Sequence, residues 1–353
     1  MNTKIKKRDE YWDLLKGIAI LLMVFGHSIQ YGMGENYFND GVYLNNKVFH
    51  FIYGFHMPLF MFISGYFFYN SANKRNYKDI IIKNIKTLII PICAFYLVHI
   101  ILQIITDWNS LNTTLSFDFI KYKFVGVLWF LWFLWAVFLS SMILGGGGKC
   151  LNINHIALQI VVIIILYSTP DYGPYSSGFK FIYPFYVLGY YARKYDYLNR
   201  LCSIKKRYSI LLLLAYSLSI IFLYTKETLV YTTGCYIFKN SNYLFTISQI
   251  IIRFIIGLLG ILSIISITLR IKAKLTRSNN ILKSYIVKTG LYSLGIYCIQ
   301  NELVVRAKDL VPFPKSQIIS CIITFIIVFT VSYFLTHIIS KNTILNRLFL
   351  GGR

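Results

Sequence analysis

Long apolar blocks alternate with short polar segments from one end of the chain to the other. Ten of the blocks approach the roughly 20 residues that a helix needs to cross a bilayer. They are 14–32, 48–69, 87–106, 124–144, 155–169, 179–192, 208–225, 244–269, 285–301 and 317–340. The fifth and sixth are short enough to be tilted, broken or re-entrant. No polar segment between blocks is long enough to hold a domain of its own. The pattern predicts an all-α polytopic membrane protein, one unit over residues 1–353 with about ten transmembrane helices.

Composition agrees with that pattern: 56% of the residues are hydrophobic, 14% are charged, and the mean hydropathy is +0.58. A net charge of +23 is large enough to suggest a nucleic-acid partner, but its distribution argues otherwise. With the N-terminus in the cytoplasm and the blocks alternating, 26 of the 36 Lys and Arg residues fall on the cytoplasmic side and 9 outside. Arg253 is left within a block. That asymmetry follows the positive-inside rule. It predicts a multi-pass protein of the cell (inner or plasma) membrane with both termini cytoplasmic. The basic groups at Lys4 to Arg8, 74–86, 193–207 and 270–288 then read as orientation signals that also touch anionic lipid. No nucleic acid is needed. Lys4 to Arg8 before an apolar run also resembles a signal peptide, but the long run, the missing small-residue cleavage site and the later spans favour a retained first helix. The six cysteines stand singly, without metal or redox spacing, so no metal is expected.

Against this apolar background the ionisable residues carry the information. His27 follows Lys16 by eleven residues in the first block, which places both on nearly the same helix face, roughly 16 Å apart along the axis. An ionisable residue inside a span is costly and marks a functional site by default. His56, in the second block, lies at a similar depth on an antiparallel helix, so the two histidines are expected to face one cavity. Pro58 is expected to bend the second span, and the small Ser64 and Gly65 permit close helix approach. Taken singly, each histidine also fits an ordinary hydrogen-bonded packing role.

The segment Arg8 to Tyr31, with Trp12-Asp13-Leu14-Leu15-Lys16-Gly17-Ile18 leading to Phe25-Gly26-His27, resembles the opening of the membrane-bound acyltransferase-3 family. Phe55 to Tyr66 is similar to that family's second-span signature, in the form seen in fucose 4-O-acetylase-like and surface polysaccharide O-acetyltransferase members. Lys83 and Lys86 match its pair of basic residues ahead of a Leu/Ile-rich segment with Pro91. Trp129 to Ala136 resembles its Trp-Phe-Leu span, Phe185 to Tyr190 its Pro-Phe-hydrophobic-Gly element, and Gly290 to Gln300 its closing Ser-Leu-hydrophobic-Tyr motif. The matches occur in order over residues 8 to 300.

The resemblance implies transfer of an acetyl group from cytoplasmic acetyl-CoA to a hydroxyl of a surface glycan (O-antigen, capsule or exopolysaccharide) or its lipid-linked precursor. Lys16, Lys83 and Lys86 fall on the family's basic positions. As lysines they offer point charges to CoA phosphates rather than bidentate guanidinium contacts. Imidazole suits the work of base or acyl carrier, which assigns His27 to one of those roles. His56, Ser64 and Tyr66 are candidate oxyanion donors. Asp13, Tyr66, Gln300 and Glu302 are the candidate acceptor-binding residues. Gln300 stands where many family members have His, so a second base at that position is not expected. Glu302 and Arg306 are spaced for a helical ion pair. Tyr172 and Tyr175 are candidate sugar platforms in an outer turn. A transporter or flippase of a glycolipid or small solute is the competing class; the absence of internal duplication and the clustering of polar residues toward the first three spans favour the enzyme.

Overall fold

The computed structural model of the chain describes residues 10–106, 126–128, 130–150, 155–198, 206–239, 241–275, 281–307 and 316–352, and among them every regular element is helical. In chain order the main helices are α1 (Glu10–Tyr31), α2 (Lys47–Tyr53), α3 (His56–Lys74), α4 (Tyr77–Asn84), α5 (Ile90–Thr106), α6 (Trp132–Cys150) and α7 (His155–Ser168). They continue with α8 (Gly173–Lys194), α9 (Lys206–Phe222), α10 (Tyr243–Leu275), α11 (Ile281–Leu291), α12 (Ser293–Ala307), α13 (Gln317–Lys341) and α14 (Thr343–Phe349). Among the described residues, five stretches are long and apolar enough to cross a membrane: Glu10–Tyr31, Lys47–Lys74, Tyr77–Ile105, Tyr243–Ile271 and Gln317–Lys341. Trp132–Gly146 and His155–Ser168 are shorter apolar helices. Lys4 to Arg8 and Trp129, used in the sequence reading, lie outside the described residues.

Several element boundaries differ from the apolar pattern for identifiable reasons. The second block is two helices rather than one bent span. Pro58 has no N–H to give the Gly54 carbonyl, and the chain turns at Gly54–Phe55, so the proline sits in the first turn of α3, where no donor is missed. A side chain on Gly54 would meet the Tyr216 hydroxyl at 2.8 Å, so the turn is also pinned from α9. The Asn46 side chain starts α2 by accepting from the backbone N–H groups of Val48 and Phe49 at 2.9 and 3.0 Å. Between α4 and α5 the helix widens into a π-type turn at Ile85–Ile89. Pro91 follows it and cannot bond to the Thr87 carbonyl, which an ordinary α-helix would require. The ninth block is interrupted at Tyr292, which separates α11 from α12.

Two interfaces are packed backbone against backbone. Gly17 on α1 faces the Ile286 carbonyl, and Gly290 on α11 faces the Asp13 carbonyl; a Cβ at either position would overlap the opposite main chain. Gly65 on α3 and Gly189 on α8 repeat the arrangement against Tyr186 and Phe62. Glycine is required there because helices in lipid associate by close van der Waals contact rather than by hydrophobic exclusion from water. α1 is the hub, touching α2, α3, α10, α11, α12 and α13. The outward faces of the peripheral helices stay apolar: Leu97, Ile101 and Ile105 on α5 recur every fourth residue and are all exposed. Such a stripe suits lipid.

Candidate active site

One stripe of α1 organises the interior. Lys16, Ile20, Met23, His27 and Gln30 fall within about 80° of one another around the helix. Lys16, Ile20 and Met23 line an inner cavity of about 460 Å³. Met23, His27 and Gln30 line an outer cavity of about 550 Å³. Met23, Met57 and Tyr297 belong to both walls and form the neck between the two spaces. Lys16 thus lines one of two adjoining chambers and His27 the other, with three wall residues in common.

Three histidines line the outer chamber: His27, His56 and His99. His27 is half-buried. Its Nδ1 receives a hydrogen bond from Gln300 Nε2 at 3.2 Å, and the same amide nitrogen lies 3.4 Å from the Tyr297 carbonyl. The Gln300 Oε1 is buried and has no hydrogen-bond partner among the described residues. His56 is buried at the start of α3 and donates from Nδ1 to the Ile52 carbonyl at 3.0 Å, across the turn that precedes it. That bond leaves its Nε2 without a proton in the neutral ring. The Tyr53 ring neighbours both, 6.0 Å from His27 and 4.7 Å from His56 by ring centroids, and its hydroxyl donates to Gln30.

His99 was missed by the sequence reading. It lies on α5 with Nδ1 2.6 Å from Glu302 Oε1, and Arg306 stands 3.9 Å from the second oxygen of the same carboxylate. Its ring packs against Tyr96 and Phe130 at 5.9 and 5.1 Å. The signal that could have found it is the one that found His27: a lone ionisable residue in an apolar block. α12 therefore holds two of the histidines, Gln300 reaching His27 on α1 and Glu302 reaching His99 on α5.

The sequence profile of the acyltransferase domain family matches residues 9–340. The chain belongs to the acyltransferase-3 family. The acyltransferase is 26% identical over 322 residues to the nodulation protein NolL of Mesorhizobium japonicum, covering 90% of this chain and 82% of that protein. It is 28% identical over 183 residues to the nodulation protein NolL of Sinorhizobium fredii, covering 52% of this chain and 48% of that one. No solved structure gives a significant match.

The remaining site candidates of the acyltransferase are spread over three places. Ser64 lines the inner chamber, not the outer, and its hydroxyl donates back to the Phe60 carbonyl at 2.8 Å. It is therefore not grouped with His27. Tyr66 lines neither chamber. It is buried, packed at a tilt against Trp12 with ring centroids 4.2 Å apart, and accepts a hydrogen bond from Arg193 at 2.8 Å, tying α1, α3 and α8 together. Asp13 is buried beside Lys16 at 3.3 Å, near the inner chamber and away from the histidines. Lys83 donates to Ser71 at 3.0 Å, and Lys86 is exposed in the π-type turn, two residues before Leu88 of the inner wall. Of the two outer-turn tyrosines, Tyr175 lines the outer chamber and Tyr172 points away into the open.

Arg253 also finds its partners. It donates to the Gly234 carbonyl at 2.8 Å and to the Thr233 hydroxyl, holding the segment that ends the Val230–Thr233 turn. Asp171 accepts from the N–H groups of Cys235 and Tyr236 and pairs with Lys180 at 2.9 Å. These bonds hold the segments around Asp171 and Gly234 close to Tyr231, another wall residue of the outer chamber.

Proposed function

We propose that this membrane acyltransferase is an O-acetyltransferase that takes acetyl from cytoplasmic acetyl-CoA and delivers it to a hydroxyl of a surface glycan or its lipid-linked precursor. The observation that carries the reading is the α1 stripe, with a lysine in one chamber, histidine in the next and a neck between them. CoA bears several phosphates that resist entry into hydrocarbon. Lys16 supplies positive charge in the inner chamber wall, Lys83 and Lys86 lie beside and within the turn that carries Leu88 of that wall, and the apolar wall beyond Lys16 suits a pantetheine arm. The outer chamber, walled by Tyr53, Trp132, Tyr175 and Tyr231 with Gln30 and Asn301, offers aromatic faces and hydrogen-bonding groups together, as a sugar requires. In this reading the inner chamber opens to the cytoplasm of a cell membrane crossed about ten times, with both termini cytoplasmic, as the charge asymmetry expects.

His27 stands one helical turn beyond Met23, where a thioester passing the neck would arrive. As base or acyl carrier it would use a lone pair on Nε2, which requires a proton on Nδ1 and an acceptor facing it. With Gln300 donating to Nδ1, the neutral ring instead keeps its proton on Nε2. That N–H is suited to hydrogen-bond the thioester oxygen as negative charge develops there. The observed bond favours this second role.

The test is replacement of His27 with Ala in the producing cell, with glycan O-acetylation read by NMR and membrane abundance checked in parallel. Loss of acetylation at normal abundance is expected. Retained acetylation would remove His27 from the reaction, and solute flux without acetyl transfer would favour a transporter.

A further inference from the structure

If His27 offers a proton to the thioester oxygen, another group must take the proton of the acceptor hydroxyl. The outer chamber holds two other histidines, and their surroundings separate them. His56 is almost fully buried and held by a backbone carbonyl, and among the described residues no carboxylate pairs with it to offset the charge of an imidazolium. His99 has the Glu302 carboxylate on Nδ1 at 2.6 Å. A carboxylate there keeps the proton on Nδ1, turns Nε2 into the basic nitrogen, and offsets the charge the ring acquires. Among the described residues Nε2 of His99 has no hydrogen-bond partner, and the ring forms part of the chamber wall. Arg306, 3.9 Å from the other carboxylate oxygen, helps to hold Glu302 in place.

We propose that His99, oriented by Glu302, is the base that activates the acceptor hydroxyl; the assignment rests on the acetyltransferase reading above. Nε2 of His99 takes the hydroxyl proton while the hydroxyl oxygen bonds to the acetyl carbonyl carbon. The carbon–sulfur bond then breaks, and the departing CoA sulfur takes the proton back from His99. One thioester and one hydroxyl become one ester and one thiol, with no change of oxidation state and with His99 neutral again. Glu302 is a positioning residue: it touches His99 rather than the sugar.

The experiment uses the full-length protein in membranes of the producing cells, with labelled acetyl-CoA and the cells' own glycan acceptor. General-base removal is expected to lower kcat by roughly 100- to 10,000-fold in H99A and H99Q alike, with KM for acetyl-CoA unchanged. Added imidazole restores part of the H99A rate. E302Q is slowed less than H99A, and E302D recovers part of the E302Q loss. H99Q separates chemistry from structure, because glutamine can still donate to Glu302 but cannot take a proton. Near-normal turnover of H99Q overturns the proposal, as does an H99A enzyme that binds acetyl-CoA but gains nothing from imidazole. A wild type that transfers no label overturns the acetyltransferase reading itself, and the base assignment with it.

Discussion

Gln300 on α12 donates from Nε2 to Nδ1 of His27 on α1 across 3.2 Å, joining helices 273 positions apart in sequence. The bond ties the tautomer of His27 to the orientation of the Gln300 amide. Gln300→Leu removes it at similar volume, and loss of one such hydrogen bond is expected to slow transfer by about 3- to 10-fold. Gln300→Glu should slow it further, because a carboxylate accepts from Nδ1 and strips the proton from Nε2. Turnover of labelled acetyl-CoA by the two variants checks this ordering. A Gln300→Glu enzyme faster than Gln300→Leu would make His27 the base or acyl carrier.

The lysines near the inner chamber should act on donor binding and not on chemistry. Lys16→Ala is expected to raise KM for acetyl-CoA by roughly 10-fold or more, as for a lost hydrogen bond to a charged group, with kcat retained. Lys86→Ala should do less, since Lys86 is exposed and its charge is screened. Added salt should raise KM in the wild type and less so in Lys16→Ala. Steady-state kinetics at two ionic strengths settles the matter.

The glycine contacts carry a stability prediction. Gly290→Ala places a methyl group on the Asp13 carbonyl, and neither backbone can yield without parting α1 from α11. Overpacking of this kind costs about 1–3 kcal/mol. The expected result is a lower Tm in detergent and reduced membrane abundance, with Gly189→Ala behaving alike at the α3–α8 contact.

How far the site could be read from sequence depended on whether the decisive contact was local. The Lys16–His27 face needed only helical periodicity, and the two chambers follow it along α1. The break before His56 was half-legible: Pro58 announced a perturbation, but the turn falls at Gly54–Phe55 because the Tyr216 hydroxyl packs there from a distant helix. Ser64 and Tyr66 share a helix with His56 yet serve the inner wall and a helix contact with Arg193, since a turn of helix moves a side chain to another neighbour. Gln300 and Glu302, candidate acceptor contacts from sequence, each bond a histidine. Those pairings cross 273 and 203 positions of sequence and have no local signature. Arg253 demanded a partner, but its partners are a loop carbonyl, a group every residue carries, and the Thr233 hydroxyl beside it.

The neck should set the length of acyl group that passes. Met23 and Met57 are unbranched and adapt their shape to what lies between them, while Tyr297 is the rigid side of the constriction. Met23→Ala removes most of one wall and should admit propionyl- and butyryl-CoA as donors. A methylene that gains room in an apolar pocket is worth about 1–3 kcal/mol, so the butyryl-to-acetyl ratio of kcat/KM should rise by roughly 10-fold or more. Met23→Trp should do the reverse: CoA still binds at the inner chamber, but the acetyl group no longer reaches His27. The paired measurement is acetyl-CoA affinity against label transferred to glycan. Affinity retained with transfer lost places the constriction on the path of the acyl group. Unchanged transfer in Met23→Trp would mean that the two chambers do not form one route.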